Sequence, residues 1–346
     1  MKRIISYTEA IREATEQEMI RDSRVLLLGQ GVDYDRGLLG TTKGLVNKFG
    51  SKRVFDTPLS EDGMTGISIG AALAGLRPIH THVRMDFLTL AMNQLINIAA
   101  KARYMYGGAV AVPLVIRTLI GDGWGAQHSQ GLHSLFVNIP GLKVVAPSTP
   151  YEAKGCLIQA IRDNNPVIFV EHFKLYAESG NVPKKSYTLP FGKAVIRKKG
   201  KDITLVGISY MNVECLKAAR HLEEVGVSAE VIDPVSLAPL DIDTIIKSVQ
   251  KTGKLIVVDA AWTSCGVSAE IVARVAEHLG AKKQILVERI GFAPVPSPNT
   301  PALEKYFYPS AESIARAALK MTRGKGAVMS FAADKREMKP GMTEKV

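Results

Sequence analysis

Residues 56–83 run Asp56-Thr-Pro-Leu-Ser-Glu61-Asp-Gly-Met-Thr-Gly66-Ile-Ser-Ile-Gly70-Ala-Ala-Leu-Ala-Gly75-Leu-Arg-Pro78-Ile-His80-Thr-His82-Val83. A short β-prone run, Val54 to Thr57, leads into the stretch. A helix of small residues over 63–75 and a strand over 78–83 follow. Strand, helix and strand in such quick succession are the unit of a parallel α/β sheet. Small residues at Gly66, Gly70 and Ala74 would let another backbone approach this helix closely.

The same alternation extends in both directions. Ser6 and Glu9 have the capping-box spacing that opens a helix through about Ile20, and Arg24 to Gly29 reads as a buried strand. Further on, a helix is expected over 88–104, a strand over 112–117, a Gly-rich loop, a short helix after Ser129, a strand over 142–146, a helix over 150–162 and a strand over 167–171. Residues 174–192 have no period and read as a connection. A second α/β unit follows, with strands over 202–206, 229–232, 255–259 and 284–289 and a last helix from near Ser310. With 346 residues, 46% hydrophobic and 22% charged, the chain is long enough for about two domains. The expected division is 1–175 for the first domain, 176–190 for the linker, 191–322 for the second domain, and 323–346 for a basic tail that stays flexible or docks on a partner.

Bulk composition excludes several classes of function. No apolar run approaches the roughly 20 residues that span a bilayer, and the N-terminus has no secretory or transit pattern, so a cytoplasmic protein is expected. Cys156, Cys215 and Cys265 are far apart and form no CxxC pair, which argues for reduced structural thiols. The formal charge is +11, but the basic residues are scattered and no nucleic-acid motif accompanies them. A solvated surface or an acidic protein partner suits that charge better than nucleic acid.

The candidate chemistry is sparse when read from spacing alone. There is no phosphate-binding G-x-x-x-x-G-K-[ST] loop and no G-x-G-x-x-G. His80 and His82 would share one face of a strand. A metal would need a third ligand, so a packed or hydrogen-bonded pair is the better reading. His128 ends the loop Ile120-Gly-Asp-Gly-Trp-Gly-Ala-Gln-His128, where a proton-transfer role competes with a structural one. Glu61 lies where a strand hands over to a helix. An acid there is accounted for by the helix N-terminus alone.

Several long segments together resemble the beta subunit of the E1 component of 2-oxo acid dehydrogenases, most of all its pyruvate and acetoin branch. They are Asp56 to Gly63, Ala74-Gly-Leu-Arg-Pro78, Asn93-Gln-Leu-Ile-Asn-x-Ala-Ala-Lys101, Ala126-Gln-His-Ser-Gln130, Pro140 to Pro147 and Ala160-Ile-Arg-Asp-Asn-Asn-Pro-Val167. The resemblance implies an α/β fold of two domains: a parallel-sheet domain that binds the pyrimidine of thiamine diphosphate, then a transketolase C-terminal-like domain. It also implies an α2β2 heterotetramer. The E1 alpha subunit would hold Mg²⁺ and the diphosphate, a lipoyl acyltransferase (E2) would be a further partner, and a 2-oxo acid such as pyruvate would be the substrate.

Carried over by position, Glu61 would hydrogen-bond N1′ of the aminopyrimidine and favour the imino form that removes the C2 proton. Leu59 and Phe87 would wall the pyrimidine, and His128 would assist proton transfer during acyl handover. Leu114, Ala160, Ile161, Asp163 and Asn165 match positions that bind a structural K⁺ in some members. Gly121-Asp-Gly123 imitates a diphosphate motif but lies in the wrong loop.

The chain also departs from the family pattern. Thr81 stands where an acid is usual and Arg84 where the family has an apolar or small residue, so the stretch from His80 to Arg84 is expected to be basic. The loop before His128 is two residues shorter than in the pyruvate enzyme, and an acid is missing from Gly291-Phe-Ala-Pro294. These departures raise an anionic acyl acceptor, such as a phosphorylated or nucleotide-linked sugar, in place of a lipoyl protein. Two alternatives stand beside the main reading: a split transketolase-like enzyme that forms C–C bonds with an aldehyde or ketose, and a non-catalytic scaffold subunit.

Overall fold

The computed structural model describes residues 3–280, 283–324 and 329. The strands of the first half are β1 (Ile4–Ser6), β2 (Val25–Gly29), β3 (Val54–Phe55), β4 (Arg77–His82), β5 (Val115–Ile120), β6 (Lys143–Val145), β7 (Val167–His172) and β8 (Ser179–Asn181). Those of the second half are β9 (Val195–Lys198), β10 (Ile203–Gly207), β11 (Ala229–Asp233), β12 (Ser236–Ala238), β13 (Lys254–Trp262) and β14 (Leu286–Phe292). A seven-stranded sheet has the order β12-β6-β7-β5-β4-β2-β3, and a five-stranded sheet has the order β14-β13-β10-β11-β9. In the larger sheet β6, β7, β5, β4, β2 and β3 are mutually parallel, and only the edge strand β12 is antiparallel. β5 and β7 are buried along their whole length, as expected for parallel strands covered on both faces by helices.

The first helix, Tyr7–Arg21, opens on the expected capping box: the Glu9 amide donates to the Ser6 hydroxyl, and the Ser6 amide donates to the Glu9 carboxylate. Tyr7, Ala10, Ile11 and Ala14 form its buried stripe, and the helix packs on Pro150–Arg162. The helix after Glu61 spans Glu61–Leu73, starting earlier than the small-residue run suggests. The two acids of its first turn favour its positive end. The strand expected over 112–117 begins instead at Val115. Pro113 has no N–H for a ladder, and the Leu114 amide turns back to the Val112 carbonyl. The helix expected over 88–104 is present as an unbroken helical run over 85–105, whose hydrogen bonding passes from α through 3-10 to a π-helical stretch at Gln94–Ala99 and back to α at Ala100–Met105.

The two halves are closely joined. Part of the connecting segment is itself a strand, β8, paired antiparallel with β1. The second half also lends β12 to the edge of the first sheet, beside β6. One hydrophobic core holds Ile116, Val144 and Val170 from the first sheet together with Val206, Ile208 and Val257 from the second. At Gly131 a Cβ would stand 1.9 Å from the Ala260 carbonyl oxygen, so only glycine permits this approach of the first half to β13. Apart from Arg323, Gly324 and Met329, the basic tail expected over 323–346 lies outside the described residues.

Inside the larger sheet Arg117 of β5 and Glu171 of β7 form a bidentate ion pair, with N–O distances of 2.7 and 2.9 Å. Both side chains are almost wholly buried. The Tyr176 hydroxyl also donates to Glu171, at 2.8 Å. A buried charge stripped of its partner is costly, typically about 3–5 kcal/mol, whereas removing both charges together costs far less. Glu171→Leu is therefore expected to lower the free energy of unfolding by about that amount, and Arg117→Met/Glu171→Leu by clearly less. Urea denaturation of the three proteins measures the difference.

Candidate functional site

Parallel strands deliver all their carboxyl ends to one edge of a sheet, and loops leaving that edge converge. Here the segments after β3, β4 and β5 meet there. The turn after β3 is pinned by Asp56, whose carboxylate accepts from the amides of Gly31 (2.8 Å) and Thr57 (2.9 Å). Glu61 is the first residue of the following helix and is half-buried. With Gln30, Thr57, Pro58, Met64, His80, Thr81, His82, Val83 and Phe87 it lines a small cleft.

The loop after β5 folds back on itself. At Gly121 a Cβ would lie 2.0 Å from the His128 carbonyl oxygen and 2.4 Å from the Trp124 ring. The Trp124 amide donates to Ser129 Oγ at 2.9 Å. This tight fold carries the His128 ring to the edge of Phe87, with centroids 5.3 Å apart and planes at 89°. Glu61, Phe87 and His128, expected from the sequence as site residues, are thus brought to one place. Leu59 is not: it is 80% exposed and takes no part in the cleft.

The spacing gave no signal for the groups that hold the loop. Asp86 is buried, and its Oδ1 accepts from the Gln130 amide (3.3 Å) and the Gln130 side chain (2.8 Å). This bond ties the residue beside Phe87 to the segment carrying His128. From the second half, the Ser297 hydroxyl donates to the Ser129 carbonyl, and the Gly123 amide donates to the Tyr308 hydroxyl. Asp122, the acid of the imitation diphosphate motif, is paired with Lys174 at 2.9 Å. It is a structural group.

The basic stretch expected from His80 to Arg84 keeps one cation, Arg84, in the folded chain. His80 Nδ1 and His82 Nε2 lie 3.4 and 3.3 Å from the single hydroxyl of the buried Thr65, so the two rings form the packed, hydrogen-bonded pair. Burial pushes His80 down to about 4, and burial, then the charge of its neighbour, pushes His82 well below its usual value. Both rings are therefore neutral near pH 7. The Arg84 guanidinium stacks on Trp124 at 4.0 Å and donates to the Val83 carbonyl, and it does not line the cleft. Among the residues lining the cleft none is cationic near pH 7. Near Glu61 the small-residue helix also meets less than expected: a Cβ at Gly66 would touch only the Gln94 side chain, and Gly70 faces open space.

The five residues of the K⁺ set lie near one another through the turn that ends helix Pro150–Arg162. Four of their five carbonyls already have donors. Arg77 donates to the Ile161 and Asp163 carbonyls at 3.0 Å each, the Asp163 amide donates to Ala160, and the Val167 amide donates to Leu114. Asn165 Nδ2 donates to Asp163 Oδ1, whose other oxygen pairs with Lys143. Each carbonyl keeps a second lone pair, so the set can still accept a cation there.

Comparison with known proteins agrees with this geometry. Residues 3–178 match the pyrimidine-binding domain of transketolase, and residues 192–314 match the transketolase C-terminal domain. The fold therefore defines a thiamine enzyme of transketolase architecture, as expected. The chain is 46% identical to the acetoin:2,6-dichlorophenolindophenol oxidoreductase subunit beta of Cupriavidus necator, over 94% of this chain and 99% of that one. It is 44% identical to the pyruvate dehydrogenase E1 component subunit beta of Porphyra purpurea, over 86% and 90% of the two chains. Identity to the 2-oxoisovalerate dehydrogenase subunit beta of Bacillus subtilis is 41%, over 90% and 96%. A solved chain described as a split-gene transketolase in an inactive beta4 tetramer shares the fold, with a TM-score of 0.73 at 22% identity over 92% and 98% of the chains. The chain belongs to the family of E1 beta subunits of thiamine-dependent 2-oxo acid dehydrogenases. Membership of this family implies a partner subunit. Among the described residues no helix is long and apolar enough to cross a membrane.

A depressed histidine pKa has a consequence for stability. Between pH 6.5 and about 4 the unfolded chain protonates His80 while the folded chain does not, so protons favour unfolding in that window. Stability is highest above pH 6.5 and falls as the pH drops toward 4. His80→Gln is expected to flatten that part of the curve, which denaturant titrations at stepped pH would measure.

Proposed function

We propose that the chain is the pyrimidine-activating half of a thiamine diphosphate-dependent 2-oxo acid dehydrogenase, pyruvate-like in substrate, working with an E1 alpha-like subunit as an α2β2 heterotetramer. The observation that carries this reading is the placement of Glu61 at the carboxyl edge of the sheet, in a cleft shared with Phe87, with the His128 ring packed edge-to-face on Phe87. When bound, thiamine diphosphate supplies an acidic C2 carbon and an electron sink for loss of CO₂ from the 2-oxo acid.

Each protein group then has a separate task. The Glu61 carboxylate holds a proton at N1′ of the pyrimidine. Phe87 packs the ring and keeps water from it. His128 holds or moves a proton where the acyl group is handed to its acceptor. Diphosphate and Mg²⁺ fall to the alpha subunit, a division supported by the commitment of Asp122 to Lys174. Partner docking on this face is supported by apolar side chains left largely exposed on the helices that start at Glu61 and follow Phe87, Ile67 and Leu90. In this reading the acyl acceptor is a lipoyl group on E2, and Arg84 lies over Trp124 rather than in the cleft. Free thiols at Cys156, Cys215 and Cys265 suit a cytoplasmic setting.

The test is reconstitution with the alpha subunit and thiamine diphosphate, assayed on pyruvate. Glu61→Ala should lower kcat by about 10²-fold or more. His128→Ala should spare decarboxylation with an artificial oxidant while lowering reductive acylation of a lipoyl domain. Full activity of the Glu61 variant would rule out the assignment, and transfer to an aldehyde in preference to lipoyl domain would favour the split transketolase-like alternative.

The reading extends to K⁺, held by the free lone pairs of the Leu114, Ala160, Ile161, Asp163 and Asn165 carbonyls. Replacing Na⁺ by K⁺ at equal ionic strength should then raise the melting temperature, and the rise should grow with K⁺ concentration. An unchanged melting temperature would mean that Arg77 alone satisfies the turn.

A further inference from the structure

One hydroxyl lies between two imidazoles in the wall of the cleft. Thr65 Oγ1 is 3.4 Å from His80 Nδ1 and 3.3 Å from His82 Nε2, the ring centroids are 4.3 Å apart, and all three side chains are buried. Both rings line the same cleft as Glu61. A neutral imidazole has one donor nitrogen and one acceptor nitrogen, and a hydroxyl has a single proton to donate. The Thr65 proton can therefore point to only one ring, and the other ring must donate to the Thr65 oxygen. The two tautomers are coupled.

We propose that His80, Thr65 and His82 form a neutral proton relay serving the cofactor cleft, an inference that rests on the thiamine reading above. In one state the Thr65 hydroxyl donates to His80 Nδ1, His82 Nε2–H donates to Thr65, His80 carries its proton on Nε2, and His82 Nδ1 is bare. A proton arriving at His82 Nδ1 lets Nε2 release its proton to Thr65. Thr65 passes its own proton to His80 Nδ1, and His80 Nε2 releases one. One proton enters and one leaves, no electrons move, and no bond to carbon changes. The relay ends in its mirror state, ready to run the other way. Burial keeps both rings from holding a charge at neutral pH, so they pass protons without storing one. Glu61 is the one carboxylate among the residues lining the cleft. The relay would give a proton released on the cofactor a route from a closed two-subunit site.

Two measurements test the relay. In the full chain labelled with ¹⁵N-histidine, long-range ¹H–¹⁵N spectra report the tautomer of each ring. Matching tautomers of His80 and His82 are expected, both Nε2–H or both Nδ1–H, and the match should be lost in Thr65→Val and kept in Thr65→Ser. In the reconstituted complex, exchange of the thiamine C2 proton into D₂O should slow at least about tenfold in Thr65→Val. Thr65→Ser should restore it, and half-saturation by the cofactor should change less than about twofold. If the valine variant fails to fold, Thr65→Ala replaces it in both measurements.

Spectra unchanged by loss of the hydroxyl, or exchange as fast as wild type, would overturn the relay. A wild-type complex that never exchanges the C2 proton would instead overturn the thiamine reading, while the spectra would still decide whether the rings are coupled.

Discussion

Parallel alignment of β3, β2, β4 and β5 is the constraint on which the rest of the site depends. Parallel strands cannot be joined by tight hairpins, so each crossover leaves the carboxyl edge and enters the next strand at the opposite edge, which keeps all the carboxyl ends together. The turn bearing Glu61, the end of β4 with its two histidines and the loop bearing His128 all leave that edge. Their meeting follows from strand order alone. The order is held by strands buried on both faces and by an ion pair inside the sheet that is stable only when both charges are present.

Edge placement brings these loops near one another, and specific contacts fix how they meet. Asp86 binds Gln130 from the first half, while Ser297 and Tyr308 hold the same loop from the second. Gly121 and Gly131 allow backbone approaches that any Cβ would block. The His128 loop is thus clamped between two sheets whose hydrophobic core is continuous. A shift between the halves would move His128 relative to Phe87, so the second half, remote from Glu61, takes part in shaping the site.

Burial also changes the charge of the site. A stretch containing two histidines and an arginine looks basic when written out. Folded, the histidines share one hydroxyl and are held neutral, and the arginine lies against an indole. What remains in the cleft is a carboxylate among neutral polar and apolar groups, a setting that suits hydrogen bonding to a heteroaromatic ring better than capture of an anion.

Much of the architecture is local, and to that extent the sequence determined it. Periodicity marked the helices and strands, Ser6 and Glu9 announced a capping box, and the run of long motifs identified the family and with it Glu61, Phe87 and His128. Spacing alone would have left Glu61 as an acid at the start of a helix. Tertiary structure decided what local pattern does not encode. Pro113 moved a strand because its missing N–H counts only in a ladder, and β12 crossed from the second half to the first sheet. Leu59 turned outward, and Arg77 met the carbonyls of a turn far along the chain. Thr65 came between His80 and His82 although nothing in its spacing marks it. Helix and strand periods report which face of an element is buried, whereas a hydrogen bond between elements depends on how they pack, and only the folded chain sets that.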